Sequence, residues 1–393
     1  MRVLLVGAGA VASVVSRHFA RDRGISKIIC AARNIKRAKQ FLDLKERKLM
    51  LIGLDASRIG AIAKAARGVD LIVNASLPAF NENILTAALK VHANYQDLAS
   101  RLLDLKTVEQ LKFHARFKKA KLVGLINTGV APGVTNLLAR GAADKLDEVR
   151  AIRFRLLEEQ KASELIFAWS AETILDELTA PPLVYENGKF IFTKPFSDQE
   201  DYQFPSPFGQ RQMFSIYGDE VATIPRYIKV RRVDFKSSGT DIELAKALYR
   251  LGLFNKKPIV FAGRQIIPVK FFSKLAPKVP TPEEMRRMIK SGVVENAVFV
   301  AVVEVEGKQA GRKITIKTSA VFPDLKEISK KFFGATYISY PTGTAAYAFA
   351  KIIPKIRTCG VFPPEALSSE LRKEVLRELE GRNITINESY SRK

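Results

Sequence analysis

The chain has 393 residues, which at about 150 residues per domain predicts two or three domains. Hydrophobic residues make up 47% of it and charged residues 26%, a globular composition that excludes disordered, collagen-like and coiled-coil proteins. The net charge of +24 favours anionic partners, but the positive residues are spread along the whole chain, so we expect a small phosphorylated molecule and no specific nucleic acid.

The amino-terminal third alternates short apolar runs with stretches long enough for one helix each. This alternation predicts a parallel sheet with crossover helices. We expect an α/β fold in which residues 1–130 form a doubly wound, Rossmann-type NAD(P)-binding domain. The six apolar runs are residues 2–7, 27–31, 49–54, 70–75, 94–98 and 121–126.

The first apolar run leads into a G-x-G-x-x-A motif at the start of a predicted helix. The first glycine permits a tight turn, the second lets the backbone approach a pyrophosphate, and the small third residue lets the helix pack closely on the strand. The alternative is a glycine turn without a ligand. The cofactor-binding residues predicted from this motif are Gly7, Gly9, Ala10, Val11 and Ala12.

The end of the second apolar run lacks the acidic residue that holds the ribose hydroxyls in NAD-binding domains. Arg33 stands there instead, followed one turn later by Lys36 and Arg37. Such cations can bind a 2′-phosphate through charge-assisted hydrogen bonds. We therefore predict NADP as the cofactor, with NAD as a possibility. The alternative is a solvated basic start of a helix.

Ligands of doubly wound sheets bind beyond the carboxyl ends of the strands, and this rule identifies further candidates by position. Asp55 follows the third run and is expected near the adenine. Asn74, Ser76 and Pro78 follow the fourth run and are expected beside the nicotinamide half of the cofactor.

Longer runs with alternating apolar and polar residues begin after Pro132-Gly133. They predict a mostly antiparallel sheet in an inserted α+β domain, residues 131–338, for substrate binding and dimerisation. Hairpin signals occur at Asn187-Gly188 and near Glu306-Gly307. The longer runs are residues 151–158, 164–169, 294–306 and 312–321.

Two further stretches have distinct compositions. Residues 195–215 are rich in Pro, Phe and Gly, and we expect them to be irregular, as a lid or an oligomer contact. Residues 339–393 are expected to return to the first domain as helices, with a short strand near 382–386.

Several short motifs follow one another over almost the whole chain. Besides G-x-G-x-x-A, they are VNASLP at 73–78, YQDL at 95–98, GVAPGVTN at 129–136, YPTGTAA at 340–346 and GVFPPE at 360–365. Together they resemble the saccharopine dehydrogenase family. The resemblance implies NAD(P)-dependent oxidation or reduction at a C–N bond of an amino acid or amino-acid conjugate.

The resemblance leaves the substrate open. Glutamate-forming saccharopine enzymes typically carry Asp-Pro-Gly where this chain has Ala131-Pro132-Gly133, and this difference resembles the lysine dehydrogenase-like branch. A lysine 6-dehydrogenase and a carboxynorspermidine-type dehydrogenase are the alternatives within the family. A protein that senses dinucleotides without catalysis is the alternative of another class.

Removing hydride from an amine requires a group that takes up a proton, because a protonated amine cannot release hydride. Asp97, just past the fifth run, is the predicted catalytic carboxylate, and Tyr95 would point to the same side of the strand. The resemblance also implies that this Tyr-x-Asp lies at the substrate cleft. The alternative is that Asp97 caps a helix starting near Ser100.

The substrate-binding candidates lie where predicted helices begin or strands end. A helix start can receive a substrate carboxylate, and Trp169 could form a wall of the pocket. Helix capping and core packing are the respective alternatives. These candidates are Gly133, Thr135, Asn136, Trp169 and Thr342.

Cysteine and histidine usage indicates the compartment and the absence of a metal. Cys30 and Cys359 are too few for a disulfide framework or a structural zinc site, which favours a reducing cytoplasm. With no His/Cys/carboxylate cluster in the sequence we predict no metal. No segment reaches eighteen uninterrupted apolar residues, so we expect neither export nor a membrane span. We expect a homodimer.

Overall fold

The computed structural model describes residues 1–101, 103–168 and 177–392. In chain order, the strands are β1 (Arg2–Val6), β2 (Lys27–Ala32), β3 (Leu49–Gly53), β4 (Leu71–Asn74), β5 (Asn94–Asp97), β6 (Val123–Leu125), β7 (Glu148–Ala162), β8 (Leu183–Glu186), β9 (Lys189–Phe192), β10 (Glu200–Gln203), β11 (Gln210–Ser215), β12 (Arg232–Ser238), β13 (Ile259–Phe261), β14 (Arg264–Ile266), β15 (Val294–Gln309), β16 (Arg312–Val321), β17 (Gly360–Phe362) and β18 (Thr385–Arg392).

The helices of the described residues are packed on both large sheets. In chain order, they are α1 (Ala10–Arg21), α2 (Ile35–Ala38), α3 (Ile59–Ala65), α4 (Asn81–Val91), α5 (His114–Lys119), α6 (Val134–Ala143), α7 (Glu220–Tyr227), α8 (Thr240–Arg250), α9 (Pro268–Leu275), α10 (Pro282–Lys290), α11 (Leu325–Lys331), α12 (Ser339–Ile352) and α13 (Ser369–Glu380). Short 3₁₀ helices cover Pro78–Phe80, Glu109–Phe113, Ile353–Lys355 and Pro364–Ala366.

The first sheet is parallel and has the strand order β17-β6-β5-β4-β1-β2-β3. Each of the six runs predicted in the amino-terminal third contains one of its strands, so the predicted Rossmann-type fold is confirmed. Helices cover both faces of such a sheet, and β1 is accordingly buried on both faces from Val3 to Val6. This burial explains why the runs are continuously apolar rather than alternating.

The second sheet is mostly antiparallel, as predicted. Seven of its strands have the order β10-β11-β12-β7-β15-β16-β18, and β8 pairs with both β12 and β9. The β12–β7 pair is parallel and the other pairs are antiparallel. The hairpin predicted at Asn187-Gly188 joins β8 to β9, and both residues have the positive φ angles that such a turn requires.

Three local predictions for the second domain were wrong. Residues 164–168 of the predicted run 164–169 form no strand, and residue 169 lies outside the described residues. Ile166, Phe167 and Ala168 are buried, so this part of the run reflects burial and not strand pairing. The stretch 195–215 is not an irregular excursion, since it contains β10 and β11 at one edge of the sheet. The β15–β16 turn lies at Ala310-Gly311 and not at Glu306-Gly307, where a β-bulge occurs instead.

The carboxyl-terminal segment contacts both sheets. Helix α12 packs so closely on α1 that a Cβ on Gly343 would lie 2.6 Å from Val14, and Nε2 of His18 lies 3.0 Å from Oγ1 of Thr344. Strand β17, which the sequence did not predict, extends the first sheet beside β6. Strand β18 pairs with β16 in the second sheet. The described helices include none long and apolar enough to cross a membrane.

Candidate active site

A cleft of about 700 Å³ separates the carboxyl edge of the first sheet from the second sheet. Residues that follow β1, β2, β4, β5 and β6 line one side of it. Leu156 of β7, Phe235 of β12 and Phe299 of β15 line the other side. The cleft therefore lies where the rule for doubly wound sheets places ligands.

The glycine motif forms one end of the cleft floor. Gly7 has φ 115°, and a Cβ there would lie 2.4 Å from the carbonyl oxygen of Ala75, so only glycine fits. Gly9 has φ −97°, and a Cβ there would meet no described atom within 4 Å. The structure thus leaves open space in front of α1, whose first turn holds no acidic residue. This space suits a pyrophosphate bound at the helix amino terminus.

The other residues of the motif divide between the cleft and the core. Ala10 and Val11 line the cleft together with Gly7 and Gly9. Ala12 is fully buried, in keeping with a small residue that lets α1 approach the sheet.

The cations predicted after β2 have different surroundings. Arg37 lines the cleft and donates from Nη2 to the carbonyl oxygen of Val279 at 2.5 Å. Arg33 is exposed at the rim and does not itself line the cleft. Asn34 lines the cleft and begins α2, because its Oδ1 accepts a hydrogen bond from Arg37 N at 2.9 Å.

Asp55 does not line the cleft. Its Oδ1 accepts hydrogen bonds from Ser57 N at 3.0 Å and Ser57 Oγ at 2.8 Å. These hydrogen bonds lower the pKa of Asp55. The carboxylate therefore closes a turn after β3.

The residues predicted beside the nicotinamide half lie together in the cleft. Asn74, Ser76 and Pro78 all line it. Oδ1 of Asn74 accepts hydrogen bonds from Ser76 N at 2.9 Å and Ser76 Oγ at 2.5 Å, and its Nδ2 donates to Oδ1 of Asn81 at 2.7 Å. The Asn side chain thus fixes the loop after β4.

Asp97 and Tyr95 are fully buried and do not line the cleft. The Tyr95 hydroxyl lies 2.8 Å from Oδ2 of Asp97, Gln110 Nε2 donates to the same oxygen at 3.2 Å, and Asn127 N donates to Oδ1 at 2.8 Å. Burial raises the pKa of Asp97 to about 7 against these hydrogen bonds. Asp97 caps no described helix either, since the chain from 98 to 101 is not helical. Asp97 is level with Asn74 of β4, which does line the cleft, but the residues after β5 and β6 cover the Asp97 side chain.

Of the three substrate-binding candidates after β6, two are buried in the core and one lies directly behind the cleft lining. Thr135 and Asn136 are fully buried: Thr135 Oγ1 donates to Oε1 of Glu220 at 2.7 Å, and Asn136 Nδ2 donates to Oε2 of Glu365 at 3.0 Å. Gly133 has φ 135° and begins α6 just behind the lining residues 129–132.

Two other substrate-binding candidates have different outcomes. Thr342, in the first turn of α12, lines the cleft. Trp169 lies outside the described residues.

The sequence did not single out two buried acids that line the cleft from the second domain. Asp219 accepts a hydrogen bond at Oδ2 from Ser100 N at 2.8 Å, and burial, reinforced by Asp97, raises its pKa to about 7. Glu158 accepts from Ser237 Oγ at 3.1 Å, and burial raises its pKa to about 8.

The sequence carries a signal for one of these acids and none for the other. Glu158 continues the alternating face of Phe154 and Leu156 on β7, where an apolar residue would be expected. Asp219 follows a stretch that looked irregular, and nothing in the local sequence marks it.

The cations of the cleft and the buried acid Asp219 lie at different places along it. Arg37 and Lys278 lie at the end near β2, whereas Asp219 is held by Ser100, which follows β5. Strands β2 and β5 are three positions apart in the sheet, which corresponds to about 14 Å. Glu158 and Glu177 also line the cleft. The arrangement suits a phosphate group bound at one end of the cleft and a cationic group bound at the other.

No group of three or more His, Cys, Asp or Glu side chains that could hold a metal ion occurs within the described part of the chain. Both cysteines are free thiols.

Two fully buried carboxyl groups behind the cleft should make stability depend on pH. Burial raises the pKa of Glu220 to about 8 and that of Glu365 to about 7, against an ordinary value of 4.5. The folded protein therefore holds protons that the unfolded chain releases, and stability falls as pH rises from about 4.5 to about 8. Glu220 Oε2 has no hydrogen-bond partner among the described residues, so ionisation there is uncompensated.

The variant Glu220→Gln, a neutral mimic, should raise the Tm at pH 8 and change it little at pH 5.5. For a chain of 393 residues, a gain of about 1 kcal/mol corresponds to roughly 1 °C. Thermal unfolding at the two pH values measures it, with the exposed Glu283→Gln as a control. An equal drop in Tm at pH 5.5 and at pH 8 would show that Glu220 is needed as a carboxylate.

Comparison with known proteins finds one family over nearly the whole chain. The family model described as "Saccharopine dehydrogenase NADP binding domain" matches residues 3–125, and the one described as "Saccharopine dehydrogenase C-terminal domain" matches residues 129–384.

Two curated relatives match about two thirds of the chain. Carboxyaminopropylagmatine dehydrogenase of Synechocystis sp. is 24% identical over 289 residues, which cover 70% of this chain and 72% of that protein. Carboxynorspermidine synthase of Vibrio cholerae is 23% identical over 305 residues, which cover 70% and 73%.

Solved structures share the fold. Saccharopine dehydrogenase (L-Glu forming) of Saccharomyces cerevisiae superposes with a TM-score of 0.71 at 16% identity, covering 99% of both chains. Homospermidine synthase of Legionella pneumophila, solved in complex with NAD, gives a TM-score of 0.63 at 12% identity and covers 99% of this chain and 91% of that one.

Proposed function

Because this chain belongs to the saccharopine dehydrogenase family of oxidoreductases, we propose that it transfers hydride between NADP and a C–N carbon of a carboxylated polyamine. The observation that carries the proposal is the position of the ionisable groups in the cleft, with the cation Arg37 near β2 and the buried acid Asp219 near β5. The names of the two curated relatives, which denote carboxylated polyamines, support this substrate class.

The residues around the glycine turn fit a dinucleotide. The open space at Gly9 and the amino terminus of α1 would hold the pyrophosphate, and Arg37 with Arg33 would bind the 2′-phosphate. Asn74, Ser76 and Pro78 would position the nicotinamide ring. When bound, the cofactor supplies or accepts the hydride, and the protein provides orientation and proton transfer.

Asp219 is the proposed acid–base residue. A carboxylate with a pKa near 7 can take a proton from the substrate amine and so let the C–N carbon release hydride to form an imine. Glu158 would bind a further ammonium group of a polyamine from the same cleft, because a bound cation favours the ionised carboxylate over the protonated form that burial favours.

Asp97 and Tyr95 act as positioning residues in this proposal. Asp97 holds the backbone N–H of Asn127, whose Oδ1 accepts a hydrogen bond from Ser100 Oγ at 2.8 Å. Ser100 N in turn donates to Asp219. Asp97 would therefore orient the acid–base carboxylate through two intermediate residues without touching substrate.

Turnover against a substrate panel tests the proposal. Cofactor absorbance would be followed with carboxynorspermidine, carboxyaminopropylagmatine, saccharopine and lysine, in both directions. We expect the highest kcat/KM with a carboxylated polyamine. Turnover of lysine alone would instead support a lysine 6-dehydrogenase, and saccharopine alone the saccharopine reaction. Tight dinucleotide binding without turnover of any compound would support a sensor.

The NADP assignment has its own test. The variants Arg33→Ala and Arg37→Ala should each raise the Kd of NADPH by about 10- to 100-fold, the effect of losing a charge-assisted hydrogen bond, and leave the Kd of NADH nearly unchanged. Fluorescence titration measures both constants. Arg47→Ala, which removes an exposed arginine of the same domain outside the cleft, is the matched control. Equal affinity of the wild type for NADPH and NADH would refute NADP preference.

We further propose that the enzyme acts as a homodimer in the cytoplasm. Two free cysteines and no disulfide partner for either among the described residues support a reducing compartment. Leu251 at the end of α8 is 74% exposed, and Val260 and Phe261 on β13 are 77% and 66% exposed, which supports contact with a second copy. Mass measurement in solution tests the dimer.

A further inference from the structure

A segment of the second domain reaches the cofactor end of the cleft. Ser273 on α9 and residues 276–279 after it line the cleft opposite α2; we call residues 273–279 the crossing segment. We propose that the crossing segment forms the outer wall of the site for the adenosine 2′-phosphate and that Lys278 is a determinant of cofactor specificity. The inference rests on the proposed use of NADP.

The crossing segment is anchored directly to the residue that is expected to bind the phosphate. Arg37 Nη2 donates to the carbonyl oxygen of Val279 at 2.5 Å, a contact between residues 242 positions apart. The Arg37 guanidinium also lies 5.0 Å from the ring centre of Phe41, another lining residue. The residue that follows Lys278 in the chain is therefore held against Arg37.

The chain around Lys278 is stiff. Pro277, Pro280 and Pro282 restrict the backbone of this stretch, and a proline also disfavours helical geometry in the residue before it. Thr281 begins α10 through reciprocal hydrogen bonds with Glu284, of which Thr281 N to Oε2 measures 2.7 Å. The segment thus loses little conformational entropy when a ligand binds beneath it.

The charges on the two walls are complementary to a phosphate. Arg37 and Lys278, two cations from different walls, both line the cleft. A phosphate monoester carries close to two negative charges at neutral pH. Two cations from different domains can share that charge, whereas NADH, which has a hydroxyl at this position, gives Lys278 nothing to bind. Lys278 should therefore affect NADPH affinity selectively.

The test is the variant Lys278→Met, which keeps most of the side chain and removes the charge. We expect the Kd of NADPH to rise about tenfold at low salt and the Kd of NADH to change less than twofold. The rise should shrink at high salt because Lys278 is exposed. Lys274→Met is the matched control, since Lys274 is exposed on α9 and does not line the cleft.

The outcomes separate this inference from the proposal on which it rests. An NADPH/NADH affinity ratio that is lower in Lys278→Met than in the wild type and the control supports the inference. One set of results refutes the role of the crossing segment while NADP use stands. In that set the wild type prefers NADPH, Arg37→Ala removes this preference, and Lys278→Met leaves it intact. If the wild type shows no preference for NADPH, both fail.

Discussion

The variant Asp219→Asn should lower kcat/KM by about 10²–10⁴, the usual cost of losing a positioned acid–base group. The amide oxygen can still accept the hydrogen bond from Ser100 N, so the local structure should persist. The Kd of NADPH should change by no more than about twofold, because Asp219 faces the end of the cleft away from Arg37. Steady-state kinetics on the polyamine substrate and cofactor titration measure the two effects.

The pH profile gives a second measurement of the same assignment. In the direction of amine oxidation Asp219 must be ionised to take up the proton, so kcat/KM should rise with pH through about 7 in the wild type. This limb should be lost in Asp219→Asn. Asp201→Asn, an exposed substitution on β10 outside the cleft, is the matched control and should behave as wild type.

Asp97→Asn distinguishes a positioning residue from the acid–base residue. Each oxygen of Asp97 accepts hydrogen bonds in the interior, so the amide should lower Tm. The rise of kcat/KM with pH should persist but shift to lower pH, because the Asp97 charge contributes to the raised pKa of Asp219. Near-normal kcat/KM in Asp219→Asn together with loss of the limb in Asp97→Asn would reverse the two roles.

The variant Gly9→Val should abolish cofactor binding and leave the fold intact. Its side chain would occupy the open space in front of α1, and we expect the Kd of NADPH and of NADH to rise at least about 100-fold, roughly 3 kcal/mol. A Cβ at Gly9 meets no described atom within 4 Å, and the backbone there is extended, so Tm should change by only a few degrees.

Gly7→Val is the informative comparison for this prediction. A Cβ at Gly7 would lie 2.4 Å from a backbone oxygen at a positive φ angle, so this variant should be destabilised or fail to fold. A Gly9→Val protein that folds and binds NADPH within threefold of the wild type would show that the turn does not hold the pyrophosphate.

The features that the sequence determined by itself are local ones. The G-x-G-x-x-A turn and the six strands of the first sheet follow from apolar runs and glycine positions within a few residues of one another. The hairpin at Asn187-Gly188 is of the same kind. Turn geometry and burial on both faces impose these patterns directly on neighbouring residues, so they are visible without any tertiary contact.

The depth of each side chain in the cleft was decided only by the tertiary structure. Asp97 was expected in the cleft because it ends a strand, yet the loops after β5 and β6 cover it, whereas Asp219 reaches the cleft from another domain. Thr135 contacts Glu220, 85 residues away, and Arg37 contacts Val279, 242 residues away. Periodicity specifies which face of a strand a residue occupies, but the packing of distant elements determines whether that face meets solvent, ligand or core.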